Sequence, residues 1–221
     1  MRKLIVIDPA VNTPEVGCFN IIVDQAGMPT TYHLPASVGY ESLSHLSNKS
    51  ALENTAGVVL FGSNCSVNDR LPWQKHLENC LTVFLERRIP ILGICYGHQL
   101  FAAMHGSKVG PLKSGSQKGV RNVKFQGDFG LNLKKSEGNL VVAHGEEVKD
   151  VPPQWRHWSE GDLVHVEGLK HVDAPVWTVQ AHPEAEGEFV KGQGFSVEDK
   201  DFAYGRSLVQ AFLNFCHKRA P

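Results

Sequence analysis

The run Gly93-Ile94-Cys95-Tyr96-Gly97-His98-Gln99 places one cysteine with a glycine two residues before it and another two residues after. A nucleophile on a tight strand-to-helix turn needs that spacing. The turn thrusts its side chain away from the sheet, and strand and helix then approach so closely that positions −2 and +2 must be small. A cysteine at a helix N-terminus also faces free backbone N–H groups and the positive end of the helix dipole, which favour the reactive thiolate. The N–H of Tyr96 would face the oxyanion formed when Cys95 attacks a carbonyl.

A thiolate nucleophile needs an imidazole to move protons, and the imidazole needs a carboxylate to orient it. Gln180-Ala181-His182-Pro183-Glu184 supplies both, directly after the apolar run Pro175–Val179. His182 and Glu184 are two residues apart, so in extended backbone their side chains lean to one side. Pro183 biases His182 towards that extended conformation.

These residues need a frame. Leu4–Ile7, Val58–Phe61 and Ile89–Ile94 read as strands buried on both faces of a parallel sheet. Trp73–Arg87 carries Trp73, Leu77, Leu81, Phe84 and Leu85 at helical spacing behind Pro72. His98–His105 predicts a second helix, stopped by Gly106. This βαβ rhythm implies a doubly wound α/β fold with helices on both faces, in which ligands bind at the carboxyl ends of the strands. The second half carries short β-like runs, Gly119–Phe125, Asn139–Ala143, Leu163–Val166 and Val176–Gln180, which predict a small antiparallel extension of the sheet. A final helix is expected from about Phe202 to His217, with Leu208, Phe212 and Phe215 facing inward.

The 221 residues suit one α/β domain, expected to span 1–221. A net charge of −1 gives no electrostatic case for nucleic acid or an anionic membrane. No apolar run approaches the roughly 20 residues that cross a bilayer. The N-terminal apolar run is broken by Asp8 and Pro9, so a first strand is expected there, not a signal peptide. Cys18, Cys65, Cys80, Cys95 and Cys216 form neither a disulfide framework nor a zinc pattern, and a reducing, cytoplasmic setting is expected.

GICYGHQL together with QAHPE resembles the class I glutamine amidotransferases, the triad family with a cysteine nucleophile, and the resemblance covers most of the chain. Leu4–Asp8 resembles the family's first strand, and Val58–Gly62 the strand leading to its oxyanion loop. Ala143-His144-Gly145-Glu146-Glu147-Val148 resembles the segment lining the glutamine pocket in the GMP-synthetase branch, and Ser66–Trp73 resembles its stand-alone members. No ATP-pyrophosphatase domain and no Ser-Gly-Gly-x-Asp-Ser phosphate loop is visible. The implied fold is the flavodoxin-like amidotransferase sheet. The implied reaction frees ammonia from glutamine through a Cys95 thioester, with His182 shuttling protons and Glu184 orienting it. Gln99, His144 and Gly145 would hold the substrate's amino-acid end, and the backbone of Gly62, Ser63 and Tyr96 would form the oxyanion hole. Neither cofactor nor metal is expected. The family's Gly-Gly-Pro loop reads Gly62-Ser63-Asn64 here, and serine is the costlier residue if that position needs φ > 0.

Other residues invite plainer readings. His98 is expected to pack or cap, Cys65 to be incidental, and His157, His165 and His171 to be surface histidines without ligand spacing. Trp155 and Trp158 are expected around a loop covering a sheet edge, and Gly187–Asp199 in a loop over the site. The partner expected is L-glutamine or another γ-glutamyl compound, together with a separate synthetase or acceptor-binding chain. Two alternatives use the same residues differently: a γ-glutamyl amide or peptide hydrolase with a bulkier leaving group, and a non-catalytic module on the same fold.

Overall fold

Strands β1 (Lys3–Ile7), β2 (Thr30–His33), β3 (Thr55–Leu60) and β4 (Ile91–Ile94) form one sheet in a computed structural model that describes residues 1–127 and 129–218. The sheet continues through β6 (Gln117–Phe125), β7 (Glu137–His144), β9 (Trp155–Gly161), β10 (Gly168–His171) and β11 (Val176–Val179), in the order β2-β1-β3-β4-β11-β10-β9-β6-β7. Neighbours from β2 to β11 run parallel, and those from β11 to β7 run antiparallel. The antiparallel part is therefore four strands wide, larger than the small extension the sequence suggested. Two short strands, β5 (Val109–Pro111) and β8 (Glu146–Val148), pair separately.

The apolar runs work by alternation. Leu4, Val6, Val59, Leu92 and Ile94 face one layer, with helices α1 (Val16–Ala26) and α7 (Ala203–Lys218). Ile5, Ile7, Val58, Leu60 and Ile91 face the other, with α2 (Glu41–Leu46), α3 (Lys49–Glu53), α4 (Pro72–Glu86) and α5 (Tyr96–Met104). Because both faces are covered, β3, β4 and β11 are buried at every position. Helix α4 buries Trp73, Leu77, Leu81 and Phe84, and Leu85 only partly. Its first turn is closed by the Leu71 N–H donating to Gln74 Oε1 at 2.6 Å.

Several expectations change. Helix α5 begins at Tyr96, two residues before the predicted start, so Cys95 is its first flanking residue. Leu163–Val166 is no strand. It is part of the tight connection between β9 and β10, where the Gly161 N–H donates to the Val164 carbonyl at 3.0 Å. Val164 and Val166 are fully buried, so their alternation imitates a strand without pairing. Trp155 and Trp158 lie in β9, not beside a loop, because their indoles fill the core against Phe101 and Phe125. The segment from Gly187 holds a short helix, α6 (Gly187–Gly192), capped by the Glu186 carboxylate. Among the described residues no helix is long and apolar enough to cross a membrane.

Candidate active site

Cys95 lies between β4 and α5 at φ 48° and ψ −99°, a conformation that costs a non-glycine residue free energy and is characteristic of a nucleophile elbow. The flanking glycines are spatial necessities. A Cβ on Gly97 would lie 2.9 Å from the Leu60 carbonyl oxygen, and one on Gly93 would lie 3.0 Å from Thr178 Cγ2 and 3.1 Å from the Gly97 carbonyl carbon. Helix α5 thus sits directly on β3, β4 and β11, and its first N–H groups, Tyr96 included, have no partner within the helix.

His182 and Glu184 follow β11. The His182 N–H donates to the Val141 carbonyl at 2.8 Å, which ties this loop to β7. Gly205 of α7 packs so tightly beneath it that a Cβ there would lie 2.5 Å from the Pro183 carbonyl oxygen. The His182 Nδ1 donates to Glu184 Oε1 at 2.9 Å, and the Phe189 ring of α6 lies 4.7 Å from the imidazole. Burial disfavours the imidazolium, but Glu184 and Cys95 outweigh it, so His182 is held well above the ordinary histidine range. The end of β3 joins them: a Cβ on Gly62 would be 3.0 Å from His182 Cε1 and 3.4 Å from Cys95 Cβ. Three parallel strands therefore deliver Gly62, Cys95 and His182 to one point.

Ser63 does not adopt positive φ. Its hydroxyl is built into the loop, donating to the Pro9 carbonyl at 2.8 Å and accepting from the Cys65 N–H at 3.2 Å. The serine that departs from the family pattern thus fastens the loop after β3 to the loop after β1.

Two cavities meet at Cys95. The larger, about 350 Å³, is lined by Gln99, His144, Gly145, Ser116 and Lys118. The smaller, about 40 Å³, is lined by Gly62, Ser63, His182, Glu184, Glu15 and Phe189. In the larger one, Gln99 Nε2 donates to the Glu146 carbonyl at 3.0 Å and to Gln180 Oε1 at 3.1 Å. His144 Nδ1 donates to the Glu146 carbonyl at 2.9 Å. Burial lowers His144 to about 4 against that hydrogen bond, so it is neutral at pH 7, with Nε2 facing Arg121 at 3.5 Å. Arg121 itself pairs with the fully buried Glu167 at 2.8 Å. In the smaller cavity, burial, helped by Asp8 and Glu184, pushes Glu15 up to about 7.

The structure brings together every residue that the sequence marked for this chemistry. Cys65 opens on the larger cavity, but burial raises its thiol. His98 is a structural tie, fully buried between Thr178 Oγ1 at 2.8 Å and the Val166 carbonyl at 3.1 Å, and burial lowers it to about 3. The His157 and His165 rings lie 4.8 Å apart, tilted, and Glu160 joins them in one cluster that their spacing in the sequence did not show, whereas His171 is buried against Trp155 and not at the surface. None of the three histidines lines either cavity. Sequence reasoning missed Glu15, Gln180, Phe189 and Arg121 as neighbours of the site. Gln180 alone carried a signal, two residues from His182 on the same side of an extended segment.

Comparison with known proteins agrees with this geometry. The family model for glutamine amidotransferase class-I matches residues 31–192. One of the subunits of the glutamine-hydrolyzing GMP synthase of Methanocaldococcus jannaschii is 30% identical over 161 residues, 72% of this chain and 73% of the relative. Its counterpart in Archaeoglobus fulgidus is 32% identical over 167 residues, 76% of this chain and 79% of the relative. Among solved structures, a glutamine amidotransferase from Thermotoga maritima superposes with a TM-score of 0.76 at 17% identity, covering 98% of each chain. Another from Methylobacillus flagellatus gives 0.73 at 18% identity, covering 98% of this chain and 94% of the other. At those identities the superpositions establish the fold. The family model and the archaeal relatives establish more: the chain belongs to the class I glutamine amidotransferases, a family of cysteine-dependent, glutamine-hydrolysing enzymes.

Proposed function

We propose that the chain hydrolyses the side-chain amide of L-glutamine, with Cys95 as nucleophile, His182 as acid and base, and Glu184 as the group that orients His182. The Cys95 sulfur attacks the amide carbon while the carbonyl oxygen, becoming an oxyanion, turns to the N–H groups of Tyr96 and the Gly62–Ser63 loop. His182 then protonates the departing nitrogen, and ammonia leaves the γ-glutamyl thioester. Water, deprotonated by His182, adds to the thioester; the Cys95 thiolate is expelled and glutamate is released. The glutamyl portion occupies the larger cavity, where Gln99, His144 and Gly145 stand.

The leaving nitrogen must take its proton from His182, so it departs towards the smaller cavity, beside Gly62, Ser63, Glu15 and Phe189. Glutamine is favoured over a bulkier γ-glutamyl amide by the relatives, which are named for glutamine hydrolysis. The archaeal relatives are each named as one component of a glutamine-hydrolysing synthase. That supports a separate synthetase chain as the receiver of the ammonia.

Purified protein assayed on glutamine and on γ-glutamyl alkylamides, with free ammonia or amine measured, tests the reading. Glutamine turnover that rises when a synthetase chain is added is expected, as is labelling of Cys95 by a glutamine-mimicking electrophile. Brisk release of alkylamine with little ammonia from glutamine, or labelling at Cys65, would overturn it.

A further inference from the structure

Gln180 is fully buried, yet its side-chain amide faces polar atoms at both ends. Its Nε2 donates to Cys95 Sγ at 3.6 Å, and its Oε1 accepts from Gln99 Nε2 at 3.1 Å. Its own backbone is held independently, with the Gln180 N–H donating to the Glu167 carbonyl at 2.7 Å.

We propose that Gln180 belongs to the catalytic machinery, its N–H holding the Cys95 sulfur in place as thiolate and its oxygen setting the orientation of Gln99. The inference rests on the reading of Cys95 as nucleophile. A hydrogen bond donated to an ionised group favours the ionised form, and donation to an anion is worth more than a neutral bond. Gln180 supplies this without a positive charge, so it does not compete with His182 for Glu184. The second half follows from counting hydrogens. A primary amide has two N–H groups, and Gln99 uses both, one on Gln180 and one on the Glu146 carbonyl. Only the Gln99 oxygen is left for a ligand in the larger cavity, so Gln99 accepts from the α-ammonium of an amino acid and cannot donate to its carboxylate. Gln180 thereby couples the polarity of the amino-acid pocket to the reacting sulfur.

The test is the pH dependence of Cys95 alkylation by iodoacetamide, followed by peptide mapping, in Gln180→Met and Gln180→Leu. Neither variant offers the sulfur an N–H or a charge, and the second is a smaller side chain if the first fails to fold. The Cys95 profile should move to higher pH, with alkylation at pH 7 falling about tenfold. Cys65, in the same cavity, should react as before and serves as the internal control for disturbed packing. A Cys95 profile unchanged in a folded variant, or Cys95 and Cys65 shifting together, overturns the proposal. This measurement needs no glutamine, so it stands even if the wild-type protein leaves glutamine untouched and the glutaminase reading fails. Where glutamine is turned over, Gln180→Met should also raise KM severalfold as Gln99 loses its fixed orientation; an unchanged KM would overturn the Gln99 half.

Discussion

At the scale of single residues, the site separates groups that react from groups that aim them. In the proposed reaction His182 acts in both half-reactions, whereas Glu184 works through its 2.9 Å bond to Nδ1. His182→Ala should therefore come close to the Cys95→Ala null, and Glu184→Ala should retain at least about tenfold more glutamine turnover than His182→Ala. Equal losses in two well-folded variants would give Glu184 a larger part than orientation. Ser63 invites the opposite expectation from the one its sequence suggested. Its hydroxyl makes two hydrogen bonds that brace the oxyanion loop, and its φ is not positive. Ser63→Gly should therefore slow turnover by a few-fold to about tenfold, the worth of a hydrogen bond or two. A faster Ser63→Gly enzyme would mean that the loop must pass through a left-handed geometry during the reaction. Cys95, His182 and Glu184 were legible in the sequence because their chemistry is tied to short spacings. Glu15, Arg121 and Phe189 were not, since nothing near them in the chain shows that tertiary packing brings Glu15 and Phe189 beside His182 and Arg121 beside His144.

At the scale of elements, the close approach of α5 to the sheet is what holds Cys95 up. Alanine normally strengthens a helix relative to glycine, by about 1 kcal/mol. Gly97→Ala should do the reverse, because its Cβ would meet the Leu60 backbone at 2.9 Å and push α5 outward. The expected cost is about 1–3 kcal/mol, or roughly 2–12 °C in Tm, together with lost Cys95 labelling. A more stable Gly97→Ala protein would show that the interface has slack. Buried parallel strands were legible because runs such as Leu4–Ile7 have no polar face. The antiparallel half was harder to read. β9 holds Trp155, His157 and Glu160 in a mixed pattern, and its pairing with β10 shifts register between Gly168 and Leu169. The bulge breaks the period of two that would have marked the strand.

At the scale of the whole molecule, the buried, neutral His98 makes folding more costly in acid. His98 is held at about 3 against an ordinary 6.5, so its stabilising share is complete above pH 6.5 and is lost as pH falls from there towards 3. Over that window the unfolded chain takes up a proton that the folded chain refuses, at about 1.4 kcal/mol per pH unit. Burial raises Asp8, Glu15 and Glu167, which bind protons in the folded state and act oppositely, so the comparison is between proteins and not of absolute slopes. Thermal melts of His98→Asn should fall less steeply between pH 6.5 and 4 than those of the wild type; parallel curves would mean that His98 becomes charged in place. The backbone of Cys95 bears on the same stability from another direction. At φ 48° and ψ −99° any side chain is a burden, of order 1–3 kcal/mol, and only glycine escapes it. Elsewhere, exchanging alanine for glycine loosens a protein by about 0.5–1 kcal/mol. Here the order should invert, with the inactive Cys95→Gly protein melting above the inactive Cys95→Ala protein. If it does, the enzyme carries its reactivity as a standing debt, and natural selection for robustness alone would dismantle the elbow.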